Sequence, residues 1–216
     1  CLANQGLTWL SRVVTNLPQV HMLWLDHNLF KSVPEHLADL SELNYLQLDH
    51  NLIEKLPPEL RALEKLRKLF LRHNRLSSPR FAPPQDLGQL RNVIELHLGH
   101  NQLPKLPLAL ASMDRLRTLG LEHNRIHQIQ GDVLVRMRGL QQLLLNGNEL
   151  SSLPEELGHL VKLKHLALHE NKLSALPTST RELTELQTLT LHANCMAMSP
   201  GEGAKGGGGM VGGAGT

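Results

Sequence analysis

The sequence has little cysteine, few aromatic residues, almost no net charge and no long apolar run. Two cysteines are too few for a scaffold that depends on several disulfides. With 22 basic and 20 acidic side chains, the formal net charge of +2 is too close to balance to predict a nucleic-acid partner. No segment approaches the ~18 consecutive apolar residues of a membrane-spanning helix, so no membrane span is predicted.

What the sequence does contain is one pattern in eight copies, apolar-x-x-Leu-x-Leu-x-x-Asn-x-apolar. The copies begin at Val20, Leu43, Leu66, Val93, Leu116, Leu140, Leu163 and Leu186. Their recurring asparagines, which we call the Asn ladder, are Asn28, Asn51, Asn74, Asn101, Asn124, Asn148, Asn171 and Asn194. Residues 1–19 fit a partial first repeat, in which we expect Asn4 to take the same place. Such a regular period predicts a solenoid whose repeats pack only on their neighbours.

Each repeat has two halves that require different backbones. The Leu-x-Leu segment, as in Leu46-Gln47-Leu48, predicts a short strand with both leucines pointing inward and the residue between them pointing out. Because a crossover separates successive strands, they can pair only as a parallel sheet. An apolar residue followed by proline, as at Leu56-Pro57, then ends the extended stretch and favours a short helix.

We predict a structural role for the Asn ladder, and no role in binding. Where the chain leaves each strand, buried backbone N–H and C=O groups lose their sheet partners, and each unpaired group costs ~1–3 kcal/mol. An amide side chain both donates and accepts hydrogen bonds, so stacked asparagines can satisfy such groups in adjacent coils.

The pattern Leu-x-x-Leu-x-Leu-x-x-Asn-x-Leu, with its period of 23 residues, resembles the leucine-rich repeat family. The apolar-Pro step makes it similar to the short intracellular class of that family. The resemblance covers residues 1–198 and implies an α/β fold: a right-handed horseshoe solenoid with a parallel β-sheet on the concave face and short helices or irregular coil on the convex face. It also implies a non-catalytic protein that binds a protein partner on the concave face. A small GTPase or a phosphatase is the expected partner by this resemblance alone.

Three regions depart from the pattern. The segment Ser77–Asp86 carries four extra residues and three prolines, which predict a loop. Phe81 at its tip could contact a partner, but we expect it to anchor that loop to the core. Asp132–Leu140 has helical periodicity in place of the Leu-Pro step. Residues 199–216 are rich in glycine and predict a disordered tail. At the other end, we expect Trp9 to be buried and to cover the first coil.

Side chains between and beside the paired leucines are predicted to form the concave face. Aromatic and arginine side chains on an open face are frequent anchors of protein interfaces. The predicted partner-binding residues are Met22, Trp24, Tyr45, Lys68, Phe70, Arg72 and His97. The alternative is that they are scattered exposed residues without a function.

A histidine precedes the ladder asparagine in five consecutive repeats: His27, His50, His73, His100 and His123. We call these residues the His ladder. Rings ~5 Å apart could share a metal ion or respond to pH, or they could simply pack at the corner after each strand. No Cys or carboxylate set completes a site with them, so we expect no metal and no cofactor. We expect mutual repulsion to keep most rings neutral at about pH 7, and the face to become more positive below about pH 6.

No catalytic set is predicted, because Cys195 has His192 as a neighbour in sequence but no third partner. Cys1 and Cys195 lie at opposite ends of the array and cannot bridge within one molecule. Two functions remain open. The first is an intracellular scaffold or regulatory adaptor, and the second is an extracellular or cell-surface recognition module whose signal peptide and end caps lie outside this sequence. The absence of cysteine-rich caps favours the cytoplasm.

Overall fold

The computed structural model describes residues 1–17, 19–77 and 85–196. Within these residues, eight strands form one sheet in the order of the sequence, and every neighbouring pair with a described register is parallel. The strands are β1 (Met22–Trp24), β2 (Tyr45–Gln47), β3 (Lys68–Phe70), β4 (Glu95–His97), β5 (Thr118–Gly120), β6 (Gln142–Leu144), β7 (His165–Ala167) and β8 (Thr188–Thr190). The predicted parallel sheet of an α/β solenoid is confirmed.

The register pairs equivalent positions of successive repeats without any shift. Leu23 lies opposite Leu46, and Leu46 lies opposite Leu69. Both leucines of each internal Leu-x-Leu pair are therefore directed into the same stack, and Leu46 and Leu48 are fully buried. The residues between them form a second stack on the opposite, concave face.

Short helices lie on the convex side of the described repeats. One is an α-helix, α1 (Gly131–Arg136), where the sequence predicts helical periodicity. The others are 3₁₀-helices: Arg12–Asn16, Glu35–Asp39, Pro58–Ala62, Gln85–Gln89, Leu108–Ser112, Glu155–His159 and Thr178–Glu182. The helix that begins at Gln85 occupies the end of the segment predicted as a loop. The rest of that loop, including Phe81, and the predicted tail at 199–216 lie outside the described residues.

The 3₁₀ geometry follows from leucines spaced three residues apart. With three residues per turn, Leu60, Leu63 and Leu66 fall on one side of the chain, and all three are buried. Pro57 lies extended just before this helix, with φ −76° and ψ 145°, and its carbonyl accepts a hydrogen bond from the Leu60 N–H at 3.2 Å. In the five repeats with an apolar-Pro step, the proline ends the extended stretch and its carbonyl accepts the first hydrogen bond of the helix.

The core is one continuous cluster of buried side chains from Leu10 to Leu183. At its N-terminal end, Leu10 takes the inward position, which turns the neighbouring Trp9 outward. Trp9 is 70% exposed, and Val13 and Leu17 are also exposed. The prediction that Trp9 is buried and covers the first coil is therefore wrong.

The ladder asparagines connect each coil to the one before it. Asn101 is typical, since its Oδ1 accepts a hydrogen bond from the Leu76 N–H at 3.0 Å, and its Nδ2 lies 2.9 Å from the carbonyl oxygens of Leu71 and Leu98. The other seven asparagines make equivalent bonds, and all except Asn194 are buried. These contacts support a structural role for the ladder.

The prediction that Asn4 belongs to this ladder is wrong by one position. The Asn4 N–H donates to the Asp26 carbonyl at 2.9 Å, as the His27 N–H donates to the Asp49 carbonyl at 3.0 Å one repeat later. Asn4 and His27 also share a left-handed backbone, with φ of 56° and 55°. Asn4 therefore corresponds to a His-ladder position, and Gln5 stands where the Asn ladder would continue.

Candidate functional site

Three half-buried aromatic side chains lie side by side on the first strands of the concave face. The ring centroids of Trp24 and Tyr45 are 5.6 Å apart, and those of Tyr45 and Phe70 are 5.1 Å apart. Phe70 then stacks on His97, with centroids 4.9 Å apart and planes 10° apart. We call these four residues the aromatic row. It crosses β1 to β4 without a gap, so the aromatic residues are not scattered.

The structure brings the other predicted partner-binding residues to the same region, with different exposures. Met22 is 45% exposed, Lys68 is exposed and Arg72 is half-buried. His97 is only 5% exposed, because the Phe70 ring and the Arg72 side chain lie against it. His97 therefore packs beneath Phe70 and Arg72, whereas Met22 and Lys68 are directly accessible to solvent.

A chain of charged and polar groups runs beside the aromatic row. The Lys68 Nζ lies 2.7 Å from Glu95 Oε2, and Glu95 Oε1 lies 2.9 Å from His97 Nε2. On its other side, His97 Nδ1 lies 2.7 Å from Arg72 Nη2. Arg72 Nε donates to Glu122 Oε1 at 2.8 Å. Because a guanidinium can only donate, His97 accepts at Nδ1 and carries its proton on Nε2, which donates to Glu95.

Burial and the charge of Arg72 favour the neutral form of His97 in this arrangement. Burial lowers the pKa of His97, and the positive charge of Arg72 lowers it further, against the opposing hydrogen bond to Glu95. Burial alone would raise the pKa of Glu95, but the hydrogen bonds from Lys68 and His97 lower it below its ordinary value. The two cations and two carboxylates of this chain therefore balance in charge.

A second branch fixes the aromatic row through Tyr45. The Tyr45 hydroxyl donates to Gln47 Oε1 at 2.9 Å, and Gln47 Nε2 donates to Asp49 Oδ2 at 2.9 Å. Asp49 Oδ1 accepts from the Arg72 backbone N–H at 2.6 Å. Burial raises the pKa of the Asp49 carboxyl, although the hydrogen bond and charge of Arg72 oppose that rise.

Two glycines leave room for the long side chains of the charged chain. A Cβ atom on Gly120 would lie 2.7 Å from His97 Nδ1 and 2.8 Å from Glu122 Oε2. A Cβ atom on Gly99 would lie 2.4 Å from Glu122 Cδ.

Sequence reasoning assigned no role to Asp49, Glu122, Gly99 or Gly120. The one available signal was that Asp49, Arg72, Gly99 and Glu122 occupy the same position of four successive repeats.

All five rings of the His ladder are exposed and stack in order, with centroids 4.0–4.4 Å apart. Each of these residues has a left-handed backbone, with φ between 50° and 55°, a conformation that histidine adopts more readily than most residues. Burial lowers the pKa of His73 and of His100, and the neighbouring rings lower both further. Burial is thus the larger cause, and the mutual repulsion expected from the sequence is the second.

A single file of rings offers a metal ion two neighbouring nitrogens at a time. Within residues 1–17, 19–77 and 85–196, the one group that brings three metal-ligating side chains together lies elsewhere, at His169, Glu170 and His192. This group adds a carboxylate to two imidazoles, a combination that the His ladder does not offer. In the same described ranges, no helix has the length and apolar character needed to cross a membrane.

Comparisons with known proteins agree with this architecture. A family model described as leucine rich repeat matches residues 14–76, 114–173 and 138–196. No curated protein sequence matches the chain. Among solved structures, the chain is similar to a leucine-rich repeat protein of Leptospira interrogans, with 32% identity and a TM-score of 0.82. The alignment covers 91% of this chain and 48% of the other.

Two further solved structures share the fold at lower identity. An internalin, InlF, of Listeria monocytogenes is 22% identical with a TM-score of 0.68, over 85% of this chain and 57% of the other. The ectodomain of the receptor kinase GASSHO1/SCHENGEN3 of Arabidopsis thaliana is 24% identical with a TM-score of 0.64. The alignment covers 86% of this chain and 26% of the other. The chain thus spans between about a quarter and three fifths of the length of these proteins.

Proposed function

Because this chain belongs to the leucine-rich repeat family, we propose that it is a non-catalytic protein-interaction module whose protein partner binds the β1–β4 part of the concave face. The observation that carries this proposal is the unbroken aromatic row beside exposed Met22 and Lys68. Aromatic side chains that are partly exposed in the free protein still have apolar surface to bury on binding.

Rigid support of these side chains favours the same conclusion. Tyr45 is held at its hydroxyl, Phe70 is stacked on a buried ring, and Arg72 is bonded to both Glu122 and His97. A surface whose side chains are already ordered loses less conformational entropy when a partner binds. The charges of Lys68, Arg72 and the two glutamates beside the aromatic row cancel. We therefore expect apolar contact to supply most of the affinity, and Lys68 to influence the orientation of the partner.

The experiment compares partners retained by the wild-type chain with those retained by concave and convex variants. The concave variants are Trp24→Ala and Tyr45→Ala. The matched control is Leu108→Ala, which removes an exposed apolar side chain (51% exposed) from a 3₁₀-helix on the convex side. For a partner that binds the wild-type chain, each concave variant is expected to weaken binding by about 2 kcal/mol, or roughly 30-fold, as for an interface anchor. Unchanged affinity in both, or an equal loss in the control, would contradict the proposal.

We further propose an intracellular scaffold or regulatory adaptor, located in the cytoplasm. Cys1 and Cys195 are both exposed free thiols, and such thiols persist in reducing compartments. The Arabidopsis neighbour favours the alternative of an extracellular recognition module, since it is an ectodomain that was solved in complex with CASPARIAN STRIP INTEGRITY FACTOR 2. Localisation of the full-length protein in its own cells separates the two, and secretion would exclude the first.

By family analogy, a small GTPase or a phosphatase is the partner class to test first. Purified candidates can be titrated against the wild-type chain, Tyr45→Ala and Leu108→Ala. A true partner is expected to discriminate the concave variant from the convex one. A candidate that binds all three equally does not use the aromatic row.

A further inference from the structure

Three metal-ligating side chains converge at the C-terminal end of the concave face, beyond the aromatic row. Ligand atoms of His169, Glu170 and His192 all lie within 4.8 Å of one another. His169 and Glu170 follow β7, and His192 follows β8 one repeat later. We propose that these three residues bind a divalent first-row transition metal ion, for which Zn²⁺ is the best match.

The ligand set determines the class of metal. Two imidazole nitrogens and one carboxylate oxygen are typical ligands of zinc, and nickel and copper accept the same atoms. Calcium and magnesium prefer ligand sets made of oxygen alone, which this group lacks. Three protein ligands leave at least one tetrahedral position for water or for a side chain of a partner.

A neighbouring hydroxyl is placed to orient the more buried imidazole for metal binding. His169 Nδ1 lies 2.9 Å from Thr190 Oγ1. When the Nδ1–H donates to that oxygen, the lone pair of His169 Nε2 is free for a metal ion. Metal-ligating histidines usually have such a partner on the second nitrogen, where it sets the orientation and tautomer of the ring.

The backbone keeps the two loops in register while one ring moves. The Glu170 N–H donates to the His192 carbonyl at 3.0 Å, which ties the last turn to the one before it. The rings of His169 and His192 are stacked, with centroids 4.5 Å apart and planes 16° apart. Stacked rings direct their lone pairs side by side, so binding requires the exposed His192 ring to rotate toward His169. Two ligand nitrogens on one zinc ion lie ~3.3 Å apart, so the rotation has only a short distance to close.

The His ladder supplies the matched control, because it also presents stacked imidazoles but only in single file. A double substitution, His50→Asn with His73→Asn, removes its centre. Asparagine tolerates the left-handed backbone at these positions, with φ of 54° and 52°, so the fold should persist. Glu170→Gln keeps the size of its side chain and removes the charge.

The test titrates untagged full-length protein with Zn²⁺ alone by calorimetry, and with Co²⁺ alone by visible absorption. We expect one Zn²⁺ per chain at this site, with affinity reduced about tenfold or more by His192→Ala and by Glu170→Gln. Thr190→Val is expected to weaken binding about tenfold without removing a ligand. The His50→Asn/His73→Asn variant should bind as the wild-type protein does.

Circular dichroism of each variant without metal keeps the comparison interpretable, because Glu170 and His192 are exposed and their substitution should leave the fold intact. Three results would overturn the proposal. The first is the absence of saturable Zn²⁺ binding by the wild-type protein. The second is equal affinity in the wild-type protein and His192→Ala. The third is binding that disappears with the His-ladder double substitution but survives His192→Ala.

Discussion

Replacing Asn101 with alanine isolates the contribution of one step of the Asn ladder. Asn101 is 7% exposed, and its Oδ1 is the acceptor for the Leu76 N–H. Its Nδ2 lies within 2.9–3.1 Å of three carbonyl oxygens, those of Leu71, Leu98 and Gly99. The substitution therefore removes the acceptor of the Leu76 N–H. It also removes the Nδ2 amino group that lies near the three carbonyl oxygens.

The consequences for the donor and the acceptors differ. Each of the three carbonyls keeps a second donor, namely Asn74 Nδ2, Asn124 Nδ2 and the His73 N–H. The Leu76 N–H has no second acceptor among the described contacts. One orphaned buried N–H costs about 1–3 kcal/mol, and with the weaker bonds to the carbonyls we expect a total loss of about 2–4 kcal/mol.

Asn101→Asp separates hydrogen bonding from size. The introduced carboxylate keeps an acceptor for the Leu76 N–H, but it places an oxygen against three carbonyl oxygens. We therefore expect a larger loss than for alanine at neutral pH, and a folded-state pKa above the ordinary value of about 3.9. The folded variant then binds the proton more tightly than the unfolded chain. The added penalty is complete above the folded pKa and disappears as the pH falls toward about 3.9.

Equilibrium urea unfolding, followed by circular dichroism at about pH 7.5 and about pH 5, measures these differences against the wild-type protein. Asn194→Ala is the control, because Asn194 makes equivalent bonds but lies partly exposed, where water can replace them. We expect it to lose about 1 kcal/mol. The reasoning fails if Asn101→Asp is as mild as Asn101→Ala, or if the two alanine variants lose the same stability.

Three further predictions concern the histidines and glycines of the concave side. The lowered pKa values of His73 and His100 mean that the folded state binds fewer protons than the unfolded state. Their contribution to the unfolding free energy is therefore complete above about pH 6.5 and is lost as the pH falls below it. In urea titrations, His73→Asn with His100→Asn should make the unfolding free energy depend less on pH in this range. Gly120→Ala should cost about 1–3 kcal/mol and shift the NMR signals of the His97 ring, because the new Cβ would lie 2.7 Å from its Nδ1. Gly147→Ala should cost about 1 kcal/mol in thermal unfolding, since Gly147 has φ +67°. An unchanged His97 spectrum, or an unchanged melting temperature for Gly147→Ala, would contradict these two.

The fold could be predicted from the sequence because one local rule recurs in every repeat. A Leu-x-Leu pair fixes which face of a strand is buried, and a constant coil length fixes the register, as in the pairing of Leu23 with Leu46. The one error in this counting arose at the first repeat, where an asparagine occurs one position before Gln5. Counting back 23 residues from Asn28 would have reached Gln5, but an amide of the expected type was already present at Asn4.

The candidate site was predictable in its aromatic part and not in its charged part. Trp24 and Phe70 are rare residue types at positions that must face outward, so their place follows from the period alone. Arg72 and Glu122 are 50 residues apart and meet across the intervening repeat. Their contact depends on side-chain length, and on a glycine at position 99 that leaves space between them. Predicting this pair requires the coordinates, because the repeat period brings many side chains of opposite charge equally close to one another.

The two proposed sites lie too far apart to act on one small ligand. Tyr45 is on β2 and His192 follows β8, six strands later, which corresponds to ~29 Å along the sheet at ~4.8 Å per strand. Between them the residue that separates the paired leucines changes from a ring, as in Phe70 and His97, to Gly120, Leu144 and Ala167. A partner that contacts both ends must therefore be a macromolecule that follows the sheet and protrudes into this smaller-residue half. Because effects at this separation are usually additive, the loss of one site leaves the other free to be tested alone.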